Sequence, residues 1–76
     1  MIDLAGIRRA AGLTQIELAA NLGVGQAQIS KVERQADMLI STLASYLAAL
    51  GAEAQIVVRV GEQTVTYNLT AGRGTR

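Results

Sequence analysis

The chain has 76 residues and a formal net charge of +1, with no cysteine and no histidine. That length holds one small domain whose single core stabilises weakly, so oligomerisation is the expected supplement. The composition excludes a disulfide framework, a thiolate or imidazole metal site and the commonest general base, and neither a metal nor a cofactor is expected.

Ile2–Ala11 is predicted as the first helix, because Leu4, Ile7 and Ala11 recur at helical spacing with Arg8 on the same side. Gly12 ends it. Thr14-Gln15-Ile16-Glu17 is a capping box, in which the Thr14 hydroxyl accepts from the Glu17 amide and the Glu17 carboxylate reaches back. The second helix is Gln15–Leu22, the turn is Gly23-Val24-Gly25, and the third helix is Gln26–Glu33. Ala19 is small enough for the two helices to approach closely. Leu18, Leu22, Val24, Ile29 and Val32 are the expected shared core. Arg34–Ile40 is a connection. Ser41 is the expected cap of a fourth helix, Thr42–Leu50, with Leu43, Leu47 and Leu50 as its core stripe, Tyr46 beside them and Gly51 as its stop.

The composition then shifts to Val, Ile, Thr and Tyr. Ala54–Val60 and Gln63–Leu69 are predicted strands joined by Gly61-Glu62, glycine first, as a type II′ turn requires. That turn pairs Val60 with Gln63, Val58 with Val65, Ile56 with Tyr67 and Ala54 with Leu69. One face then carries Ile56, Val58, Val65, Tyr67 and Leu69. The other carries Gln55, Arg59, Thr64, Thr66 and Asn68, with Val57 as its apolar exception. Thr70–Arg76 lacks periodicity and is expected to be a mobile tail. The domain boundaries expected are 1–51 for the helices, 52–69 for the hairpin and 70–76 for the tail.

No apolar run approaches the roughly 18 residues that span a membrane. Nor does a charged stretch precede an apolar one at the N-terminus, as in a signal peptide. A cytoplasmic protein with no membrane partner is expected.

Two helices about a glycine turn, with a small residue inside and a polar second helix, have the spacing of a helix-turn-helix, whose second helix lies in the DNA major groove. The outer side of that helix carries Gln26, Ala27, Gln28, Ser30, Lys31 and Arg34. A glutamine offers a donor and an acceptor together and matches the adenine edge, while a lysine suits guanine or phosphate. Gln26 lies at the helix N-terminus, where free amides favour phosphate. Gln15 is placed to reach the backbone from the other side. The competing reading is a helical hairpin whose polar residues merely meet water. The balance of charge argues for neither, since Arg8, Arg9, Lys31 and Arg34 offset Asp3, Glu17, Glu33 and Asp37 in residues 1–50. A symmetric dimer would double every basic contact. Arg8 shares a face with apolar residues and needs a carboxylate partner, for which Glu33 is the candidate. Leu22–Gly25 is not a phosphate loop, because no Gly-Lys-Ser/Thr follows. No carboxylate set has metal-ligand spacing and no base lies near a nucleophile, so no enzyme is expected.

Gly-Leu-Thr-Gln-Ile-Glu-Leu-Ala at 12–19, Leu-Gly-Val-Gly-Gln at 22–26, Ile-Ser-Lys-Val-Glu-Arg at 29–34 and Ser-Thr-Leu at 41–43 resemble the Cro/C1-type (Xre) helix-turn-helix family. With its appended hairpin the chain looks like the Xre-type antitoxins of the HigA and HipB groups. The resemblance implies a mainly α, four-helix lambda-repressor-like domain followed by a C-terminal β-hairpin. It also implies a homodimer that binds double-stranded operator DNA in its own promoter and a cognate toxin. Carried over, Gln15 and Gln26 match cooperating operator glutamines. Ala27, Gln28 and Lys31 match positions facing bases, and Ser30 and Arg34 match positions near phosphate. Arg8 and Glu33 match the family's structural salt bridge. Two departures stand out: Gln35 occupies a common glycine position, and Gly25 replaces a Ser or Thr cap.

The expected function is therefore a transcriptional repressor, the antitoxin of a type II pair. Ile56, Val57, Val58, Val65, Tyr67 and Leu69 are the expected dimerisation residues, because a two-stranded hairpin is marginal alone and its edges are unprotected. The alternatives are a phage or prophage repressor, or a protein-interaction module that neutralises a partner through the hairpin.

Overall fold

A computed structural model of the chain describes residues 2–70. Four helices, α1 (Leu4–Ala10), α2 (Gln15–Leu22), α3 (Gln26–Arg34) and α4 (Ile40–Ala49), precede strands β1 (Gln55–Val60) and β2 (Gln63–Asn68). Leu4, Leu18, Ala19, Ile29, Val32, Ala44, Tyr46, Leu47 and Leu69 form the buried core. Every helix and the last residues of the hairpin contribute to it.

Local chemistry explains the boundaries. The Asp3 carboxylate accepts from the Gly6 amide and caps α1, which starts at Leu4 and not at Ile2 as the apolar pattern suggested. The capping box of α2 is complete: the Glu17 amide donates to Thr14 Oγ1 at 3.1 Å and the Thr14 amide donates to Glu17 Oε1 at 2.9 Å. Gly23 closes α2 at φ 72°, a conformation that costs an L side chain but not glycine. Its amide donates to the Ala20 carbonyl and the Val24 amide to the Ala19 carbonyl, which satisfies the last turn and swings the chain into α3. The end of α3 is different. Gln35 is extended, at φ −78° and ψ 137°, so the chain leaves α3 directly and without the left-handed turn a glycine would give.

Several expectations about the core are corrected. Ile7 and Ala11 lie outward; Leu4 and Arg8 are the buried residues of α1. Val24 is 42% exposed, because the turn carries it past the edge of the helix pair. Ser41 does not cap α4: the helix begins at Ile40 with Leu39 as N-cap and no capping side chain. Tyr46 is at the centre, 2% exposed, and Ala44 beside it lets α4 approach closely, while Leu43 and Leu50 are only half-buried.

The hairpin has the predicted register, Val60 opposite Gln63, Val58 opposite Val65 and Ile56 opposite Tyr67. The Leu69 amide donates to the Ala54 carbonyl at 2.9 Å. Gly61 has φ 60° and no other residue of the turn has positive φ, as a type II′ turn requires. Thr70 is tied down, its Oγ1 accepting from the Ala54 amide at 3.3 Å; residues 71–76 of the expected tail lie outside the described residues. Leu69 is buried and Ile56 half-buried, so the base of the hairpin is stitched to the helices. Its distal part stands clear, with Val57, Val58, Val60, Val65 and Tyr67 all exposed.

Candidate nucleic-acid interface

The short linkage between α2 and α3 presents one side of α3 to solvent. Gln26, Ala27, Gln28, Lys31 and Arg34 are exposed and Ser30 is half-buried, while Ile29 and Val32 hold the opposite side in the core. Gln15, half-buried, begins α2 next to the start of α3. Gln26 Nε2 donates to Gln15 Oε1 at 3.1 Å, which joins the first residues of the two helices. The pair borders a hollow, open to solvent, with Arg9 and Thr14 on its rim.

Beneath this surface lies an ionic cluster. Arg8 Nε donates to Glu33 Oε2 at 2.7 Å, and the two side chains are 9% and 5% exposed. Arg8 Nη2 approaches Glu33 Oε1 at 3.4 Å, and Nη1 donates to the Leu13 carbonyl at 2.9 Å. One guanidinium therefore fixes α1, the α1–α2 turn and α3 together. Two further residues join the cluster. The Tyr46 hydroxyl donates to Glu33 Oε2 at 2.6 Å, with the Leu4 carbonyl 3.2 Å away as a second acceptor, and Gln15 Nε2 donates to Glu33 Oε1 at 2.9 Å. The sequence offered little signal for Tyr46, which the core pattern made look like packing. A buried tyrosine hydroxyl needing a partner was the available clue. No buried side-chain polar atom among the described residues lacks a partner.

The titration of the cluster follows from these contacts. Burial alone would push the Glu33 carboxyl up. Hydrogen bonds from Arg8, Tyr46 and Gln15, with the Arg8 charge, outweigh burial and hold it below its ordinary range. The hydrogen bond to Glu33 raises Arg8 against the opposing effect of burial. Burial and the carboxylate together push Tyr46 up, so it stays a neutral donor.

Two expectations follow. Tyr46→Phe should cost about 1.5–3 kcal/mol in urea unfolding, the usual range for a hydrogen bond to a charged group. Stability should also fall with acid. Because the folded Glu33 carboxyl titrates below its unfolded value of about 4.3, its contribution is fully present above that pH. The contribution is lost as pH falls through the lower folded value. Urea midpoints from about pH 7 to pH 3 should decline, and the decline should be shallower in Tyr46→Phe, which removes one of the bonds that lower Glu33.

Among the described residues no group of carboxylates could hold a metal ion, and no helix is long and apolar enough to cross a membrane.

Residues 1–59 match a family model described as a helix-turn-helix domain. Two curated relatives come from Mycobacterium tuberculosis (strain ATCC 25618 / H37Rv). An antitoxin HigA2 is 37% identical over 79% of this chain and 61% of its own length. An antitoxin HigA3 is 46% identical over 82% of this chain and 60% of its own. The chain thus spans about three fifths of the curated relatives it matches. A solved structure of DNA-bound antitoxin HigA3 superposes with a TM-score of 0.78 at 42% identity, covering 87% of this chain and 88% of that one. A second, concerned with DNA bending induced by a unique dimerisation of HigA antitoxin, gives a TM-score of 0.75 at 43% identity over 93% and 92% of the two chains. On these grounds the chain belongs to the helix-turn-helix domain family, among the relatives of the HigA antitoxins.

Proposed function

We propose that this protein is a sequence-specific DNA-binding repressor, the antitoxin of a type II toxin–antitoxin pair, which acts as a homodimer on an operator in its own promoter. The likeness to DNA-bound HigA3, in fold and in sequence across most of the chain, carries this reading. It favours an antitoxin over a phage repressor, and a cognate toxin is then the second partner. The described surface supports the DNA role. In this reading α3 enters the major groove with Gln26, Ala27, Gln28 and Lys31 toward base edges. Ser30 and Arg34 approach phosphates, and Gln15 lies toward the backbone.

Dimerisation is assigned to the hairpin. Ile56 and Leu69 serve their own chain's core, which leaves Val57, Val58, Val65 and Tyr67 for a partner copy. A hairpin with both edges open is suited to strand addition by a second copy. Two such copies would hold their α3 helices about 34 Å apart, one turn of DNA.

Gln26→Ala and Lys31→Ala should each weaken operator binding by about 1–3 kcal/mol where a base contact is lost. Titration against the native upstream promoter and a scrambled duplex tests this. Promoter binding by both variants at wild-type strength would remove α3 as the reading helix.

A further inference from the structure

The two edges of the hairpin are not equivalent. Along an antiparallel pair, opposed residues alternate between those that exchange both backbone hydrogen bonds and those that turn N–H and C=O outward. The Leu69 amide donates to the Ala54 carbonyl, and Val60 opposite Gln63 closes the two-residue turn. With that parity Ile56, Val58 and Val60 bond to β2, while Gln55, Val57 and Arg59 offer their backbone groups at the outer edge of β1. At the outer edge of β2 the outward groups belong to Thr64, Thr66 and Asn68.

Resting on the assignment of dimerisation to the hairpin, we propose that two copies join β1 to β1, antiparallel, with the two-fold axis at Val57, so that one four-stranded sheet runs through the dimer. Val57 then meets the partner's Val57, Gln55 the partner's Arg59, Ile56 the partner's Val58 and Ala54 the partner's Val60. The side chains favour this edge and this register. Val57 is 50% exposed and is the only apolar side chain on its face of the hairpin, and at the axis it packs on its own copy. Val58 and Val60, 47% and 68% exposed, come to lie beside the partner's Ile56 and Ala54, which pack against the partner's helical core. The exposed valines thereby extend a covered apolar surface, and Val65 and Tyr67 continue it on the same face. Moving the axis one residue either way sets Val57 against Gln55 or Arg59. Joining β2 to β2 with the axis at Thr66 leaves Val57 in water and sets Gln63 beside the partner's Leu69, a buried position.

The chain has no cysteine, so single substitutions in the full-length protein report the pairing. Val57→Cys, Thr66→Cys, Gln55→Cys and Arg59→Cys are treated with oxidised glutathione at micromolar concentration. Opposed residues of a bonded antiparallel pair have Cα atoms about 5.5 Å apart, within reach of a disulfide. Val57→Cys should cross-link about tenfold faster than Thr66→Cys or more, because pairing raises the local thiol concentration toward millimolar. Gln55→Cys and Arg59→Cys should cross-link slowly alone, since like positions lie four residues, about 13 Å, apart along the joined strands. Mixed before oxidation, these two should cross-link to each other. Fast cross-linking of Thr66→Cys with Val57→Cys left reduced would overturn the proposal and keep the hairpin as the interface. Fast cross-linking of Gln55→Cys or Arg59→Cys alone would overturn the register. A wild type that sediments as a monomer, or as a dimer in which all four variants cross-link slowly, would overturn the assignment of dimerisation to the hairpin and this proposal with it.

Discussion

Glu33→Ala should destabilise the protein by about 3–5 kcal/mol, the range seen when one member of a buried ion pair is removed. Glu33 accepts from Arg8, Tyr46 and Gln15, and its loss strands the charge of an arginine that is 8% exposed. A small domain has on the order of 5–15 kcal/mol to lose, so this one substitution should remove a large share of its stability. Arg8→Ala should act similarly. The double variant should cost much less than the sum, because neither charge is then left alone. Urea unfolding of the four proteins gives the coupling, and a value indistinguishable from zero would mean that the pair is effectively solvated.

The second large effect concerns assembly. Val65→Lys, with Tyr67→Lys as an independent version, places a charge on the clear part of the hairpin, where the residues are 61% and 61% exposed. Neither residue belongs to the helical core, so the fold should persist. If the hairpin joins two copies, sedimentation should show a monomer, and operator affinity should fall by about 100-fold or more as two tethered contacts become one. Truncation after Gly51 is the less clean experiment, because it also removes Leu69 from the core. A lysine variant that stays dimeric at micromolar concentration would move the interface elsewhere.

Much of the frame was legible in the sequence because its signals are local. The Thr14–Glu17 capping box, the positive φ at Gly23 and the two-residue turn at Gly61 each follow from the chemistry of a few neighbouring residues. The strand register followed from that turn. What could not be read depends on contacts between distant residues. Val24 has an apolar side chain, but the path of the turn decides that it faces water. Ser41 has the chemistry of a cap, yet helix α4 starts before it, at Ile40, with Leu39 as N-cap. Tyr46 appeared as packing; only the approach of α4 to α3 and α1 shows that its hydroxyl meets Glu33 and the Leu4 carbonyl. The candidate site divides in the same way. Helical periodicity gave the outer side of α3, whereas the link from Glu33 through Gln15 to Gln26 spans three helix ends and no single stretch of sequence.

The central proposal is that α3 reads an operator and that two copies read it together. Hydroxyl-radical footprinting on the native upstream promoter tests this most directly. Two protected patches should appear, about one helical turn apart, centred on a palindrome. Both should vanish together in Gln26→Ala/Lys31→Ala at concentrations that saturate wild type. Protection spread evenly along promoter and scrambled DNA alike, or none at any concentration at which the chain stays folded, would contradict it.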